Sequence, residues 1–76
     1  MEKYLNEMKK DEEGVVKKVT AEGRIKRRLF DMGITPGANL KYKKAAPLGD
    51  PIEITIRGYE LSLRKDEADK VLVEVK

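Results

Sequence analysis

In the stretch PIEITIR (51–57), Ile52, Ile54 and Ile56 alternate with Glu53, Thr55 and Arg57. This period of two constrains the fold more than any other feature of the chain. Successive side chains of a strand point to opposite faces, so the segment reads as a strand with one face buried and one in water. The pattern recurs. NLKYK (39–43) turns Leu40 and Tyr42 inward between lysines, ELSLR (60–64) turns Leu61 and Leu63, and VLVEV (71–75) places Val71, Val73 and Val75 on one face. GVVKKV (14–19) is a further strand, and its imperfect alternation predicts a bulge or sharp bend.

One segment has the other period. In AEGRIKRRLFDMG (21–33), Ile25, Leu29 and Met32 fall within roughly 60° on a helical wheel and predict a narrow buried stripe. Gly33 is placed to end that helix left-handed, with Ile34 packing back on Leu29. TPGA (35–38) then has proline and glycine at the two central positions of a type II turn. Shorter punctuation completes the chain. YLNEM allows one turn with Leu5 and Met8 inward behind an Asn6 cap, GY (58–59) fits a two-residue hairpin loop, and KDEADK allows one helical turn capped by Asp66.

Seventy-six residues form one domain, 1–76, and a chain this short buries only about 60% of its unfolded surface. Five short strands with one apolar face each can hide those faces by curling together. The fold expected is therefore mostly β with one short α-helix, a small five-stranded SH3-like barrel.

The reactive inventory is thin. Histidine and cysteine are absent, which removes the usual general base, the thiol nucleophile and the soft-metal ligands. The six glycines are dispersed, so no phosphate-cradling loop is present. Asp50 in PLGDP lacks neighbouring oxygen donors in sequence and reads as turn chemistry, not as a cation ligand. No catalytic, cofactor or metal residue is expected, and the chain does not read as an enzyme. The start of the chain has no apolar core of a signal peptide, and no stretch approaches the length that spans a bilayer. A cytoplasmic location without direct membrane insertion is the expectation.

Charge is unevenly placed. Residues 17–44 hold nine Lys or Arg against Glu22 and Asp31, leaving −4 for the rest of a chain whose total is +3. An electropositive face and an acidic partner follow from that asymmetry.

Three stretches, RRLFDMGITPG (27–37), APLGDPIEI (46–54) and LRKDEADKVLVE (63–74), together resemble in order and spacing the FeoA family, small cytosolic proteins of bacterial ferrous iron uptake. The resemblance rests on the turn residues Gly33, Pro36, Gly37, Pro47, Gly49, Asp50 and Pro51, and extends to YLNEM near the start. It departs at Lys10-Asp11, where many members carry a Pro-Gly turn, so the path of residues 9–13 is left open. The resemblance implies an SH3-like barrel, no catalysis, no cofactor, and a role beside FeoB, the membrane Fe(II) transporter with a cytosolic G-protein domain. The family carries a transition-metal-binding label, but the lack of His and Cys here agrees with an accessory and not an iron carrier.

Phe30, the only phenylalanine, lies off the Ile25–Leu29–Met32 stripe. Two fates are open to it. It can fold over one end of the core, or it can stand partly exposed as an apolar anchor rimmed by Arg24, Arg27 and Arg28, the usual composition of an interface centre. Arg27 and Arg28 can each pair with Asp31 along the helix. A nucleic-acid binder is the alternative for a small basic barrel, although only Tyr42 and Tyr59 offer strand or hairpin aromatics for stacking. A proline-rich peptide groove would need more aromatics than this chain holds. Oligomeric state is not legible.

Overall fold

The computed structural model describes residues 1–76. Six strands form one antiparallel sheet: β1 (Glu2–Tyr4), β2 (Glu13–Val19), β3 (Asn39–Ala45), β4 (Ile52–Ile56), β5 (Tyr59–Leu63) and β6 (Val71–Val75). A 3₁₀ turn (Leu5–Glu7) follows β1, helix α1 (Gly23–Asp31) follows β2, and one-turn helix α2 (Lys65–Ala68) precedes β6.

The alternating segments became strands with their apolar residues inward. Ile52, Ile54 and Ile56 are buried, as are Val71, Val73 and Val75. The bulge expected in β2 is present, as a register shift against β6 between Val16 and Lys18.

Two expectations about the architecture are corrected. There are six strands, not five, because Glu2–Tyr4 pairs with β6. The sheet also does not close into a barrel. Its order is β1-β6-β2-β3-β4-β5, and the edge strands β1 and β5 do not pair with each other. The apolar face is completed instead by side chains from the segments between strands: Leu5 and Met8, Leu29 and Ile34, and Ala68 join the strand residues in a single buried cluster. Burial of apolar area is non-directional, so such side chains hide the face as well as strand closure would.

Smaller boundaries shifted too. The hairpin loop between β4 and β5 is Arg57-Gly58, not Gly58-Tyr59; Ile56 pairs with Tyr59, and both loop residues have positive φ (50° and 86°). That pair of angles is what a type I′ hairpin turn requires. Asn6 lies inside the 3₁₀ turn and does not cap it; Glu7 Oε1 instead accepts the Tyr4 N–H at 2.9 Å. Asp66 lies inside α2. The capping position is Arg64, whose N–H donates to Glu67 Oε1 at 3.0 Å.

Candidate functional site

Helix α1 stands out because so little of it is buried. Leu29 is its one buried residue, and every residue from Glu22 to Arg28 is exposed. The stripe read from the sequence is therefore only partly right: Ile25 is 42% exposed and Met32 half-buried. The reason lies in how the helix is held, which is almost entirely at its C-terminal end.

There the chain stops as the sequence predicts. Gly33 N–H donates to Phe30 O (2.9 Å) and Ile34 N–H to Leu29 O (3.0 Å), with Gly33 at φ +91°. These are the paired bonds of a Schellman stop, and Ile34 is buried beside Leu29. Thr35-Pro36-Gly37-Ala38 then closes with an Ala38 N–H to Thr35 O bond (3.0 Å) and Gly37 at φ +94°, as a type II turn requires. Gly37 N–H bonds Val16 O and Val16 N–H bonds Ala38 O, fastening the turn to β2.

The β4–β5 hairpin tip adds a second fastening that sequence reasoning missed. Arg57 Nε donates to Gly33 O (3.1 Å) and its Nη2 to Thr35 Oγ1 (2.7 Å), while the Tyr59 hydroxyl donates to Met32 O. Only the positions of Arg57 and Tyr59 at a hairpin tip marked them in sequence, and a tip does not say what it touches. Helix carbonyls left unsatisfied at a C-terminus need such partners.

The four candidate interface residues divide between two flanks of α1. Phe30 is 39% exposed, neither core nor free, with Lys26 Nζ 5.7 Å from its ring centroid, a cation–π contact across one helical turn. Arg27 is exposed and in no ion pair. On the other flank Arg24 and Arg28 face α2. Arg28 does not pair with Asp31; its Nε lies 2.9 Å from Oε2 of the nearly buried Glu67. Glu67 is fixed at Arg64 by its other oxygen, so it holds the Arg28 guanidinium in place.

The remaining motif residues form a brace. Ala46 N–H bonds Pro51 O and Gly49 N–H bonds Ala46 O, a tight loop carrying Pro47 and a Leu48 that is 93% exposed. Asp50 Oδ1 accepts the Lys65 N–H (3.1 Å) and so steadies the start of α2. Tyr42 is buried in the core, where desolvation pushes its phenol upward, and Tyr59 is engaged with the end of α1. Tyr42 is thus withdrawn from the surface, while the ring of Tyr59 is 44% exposed and held at its hydroxyl. No group of three or more His, Cys, Asp or Glu side chains is placed to hold a metal ion, and no helix is long and apolar enough to cross a membrane.

These features define a small open-sheet β module that presents an exposed, cationic helix. The FeoA domain model matches residues 3–75, and the chain belongs to the FeoA domain family. It is 32% identical over 71 residues to the Fe(2+) transport protein A/Fe(2+) transporter FeoB fusion protein of Porphyromonas gingivalis, covering 93% of this chain and 8% of that one. The chain thus spans only a small part of that relative. Among solved structures, an iron uptake regulatory protein (FeoA) superposes with a TM-score of 0.92 at 29% identity, with all of both chains covered. A FeoA-like protein from Clostridium acetobutylicum gives 0.86 at 44% identity, covering 93% of this chain and 83% of that one.

Proposed function

We propose that this chain is a non-enzymatic, cytoplasmic accessory protein of prokaryotic ferrous iron uptake, a single domain that works by binding the cytosolic part of an FeoB transporter. The observation that carries this reading is the fusion relative, in which a segment like this chain is covalently joined to an FeoB transporter. Tethering raises the local concentration of two parts that must meet, and it is useful only where they do meet.

The surface offered is α1. Phe30 supplies a half-exposed apolar anchor, Lys26 and Arg27 surround it, and Arg24 and Arg28 extend the positive potential along the next flank. Positive charge around an aromatic centre steers and orients an acidic partner. The test is a titration of the isotope-labelled chain with the cytosolic portion of the cognate FeoB, with and without guanine nucleotide. Signals of residues 24–34 are expected to move, and Phe30→Ala with Arg27→Ala is expected to weaken the effect while the fold persists. No perturbation anywhere overturns the reading.

A further inference from the structure

Between α1 and α2 lies a cleft of about 270 Å³ whose lining cations outnumber its carboxylates four to two. Two of the four are already engaged. Lys70 Nζ lies 3.0 Å from Asp69 Oδ1, and Arg28 gives its Nε to Glu67. Arg24 and Arg64 are in no ion pair. Two whole guanidinium groups, and the unused N–H groups of a third paired with Glu67, therefore line one concavity.

We propose that this cleft receives an acidic side chain, Glu or Asp, from a peptide segment of the docking partner; the inference rests on the function proposed above. The guanidinium fork matches a carboxylate with two parallel N–H···O bonds, and a concave cationic site concentrates the field on an incoming anion. Ile25, the single apolar lining residue and 42% exposed, gives the residue beside that carboxylate an apolar contact. A free inorganic anion makes no use of Ile25, whereas a side chain carried on a peptide can contact it while its charge meets the guanidinium groups. A carboxylate side chain with an apolar neighbour in the peptide uses both features. The volume admits side chains but no further element of structure.

The test uses the full chain and the FeoB cytosolic portion. Arg24→Gln with Arg64→Gln is expected to weaken binding about tenfold or more and to flatten its salt dependence. Arg24→Lys with Arg64→Lys keeps the charge but loses the fork, and is expected to recover only part of the affinity. Neither arginine side chain has an ion-pair partner, so both double variants should fold, which their spectra check. If the Gln variant binds FeoB as tightly as the unmodified chain, the cleft is not a docking site, and the function proposed above stands. If the unmodified chain itself does not bind, both readings fall. Inorganic phosphate moving the cleft signals at low concentration, with FeoB affinity unchanged in the Gln variant, overturns the proposal in favour of a small-anion site.

Discussion

The two ends of helix α1 are built to different standards. Its C-terminal end meets a Schellman stop, a type II turn bonded to β2, and a hairpin tip that reaches over to hold Met32, Gly33 and Thr35. Its N-terminal two turns bury nothing. A helix of nine residues is too short to be stable in water alone, so fastening at one end is what allows the rest to stay helical and exposed. The contrast divides one element in two: the clamped end holds the helix, and the open flanks stay exposed, as the proposed docking role requires.

The sharpest way to break this comparison is a pair of neighbouring truncations. Leu29 is fully buried, so Leu29→Ala is expected to cost about 2–5 kcal/mol, enough to unfold much of so small a domain. Phe30→Ala, one position on, removes a half-exposed ring and is expected to cost about 1 kcal/mol or less while weakening partner binding. Thermal or denaturant unfolding of the two variants checks both. Equal destabilisation would mean that Phe30 is core and the division of labour is wrong.

Gly33→Ala tests the clamp itself. The residue sits at φ +91°, and a Cβ there would lie 2.7 Å from the Tyr59 hydroxyl oxygen. Left-handed strain and displacement of Tyr59 together are expected to cost about 1–3 kcal/mol. Amide exchange should rise along α1 more than in β4 or β6, because it is the helix that loses its fastening. Uniform loosening of the whole sheet would show that the clamp serves the core and not the helix.

How much of this was legible follows from the range of each interaction. Local signals were readable: the alternation in 51–57 and 71–75, the Leu29-Gly33-Ile34 stop, and the Thr35–Ala38 turn depend on residues a few positions apart. The strand Glu2–Tyr4 was not, since EKY has no apolar alternation and is a strand only because β6 presents a partner edge. Barrel closure was misread for a related reason. Periodicity shows that a face must be covered but not by what, and here inter-strand segments cover it. At the site, the wheel separated Phe30 from Leu29 correctly. It could not show that Arg28 turns to Glu67, 39 positions away, or that Arg64 joins Arg24 at one cleft.

A second left-handed position sharpens the contrast with Gly33 by reversing the sign. Asp11 stands at φ +70° in the turn before β2, a conformation that glycine adopts without steric cost. Its N–H donates to Tyr42 O at 2.8 Å, a backbone bond that glycine would keep. Asp11→Gly is therefore expected to stabilise the chain by up to about 1 kcal/mol, read as a rise in melting temperature. The turn holds without glycine because backbone bonds to Tyr42 fasten it.

The same turn also has a titratable bond, and it gives the smallest effect. Glu12 Oε1 accepts the Lys9 N–H at 2.7 Å and lies 3.1 Å from Lys3 Nζ. The Lys9 backbone bond first, and the Lys3 ammonium second, hold its carboxyl below the ordinary value of 4.5. A carboxyl whose folded pKa is lowered adds stability above its unfolded pKa and loses it as pH falls through the folded value. Glu12→Gln should therefore melt slightly lower than the unmodified chain at neutral pH, and the gap should close as pH falls below the ordinary value of 4.5 and through the lowered folded value. Glu74, lowered chiefly by its bond to the N-terminal ammonium, loses its contribution in the same window, but it is present in both proteins and cancels from the difference. Because Glu12 ties the turn to β1 and does not touch α1, FeoB binding should be unchanged by the substitution. A binding defect in Glu12→Gln would show that the turn side of the molecule, and not the open helix alone, takes part in recognition.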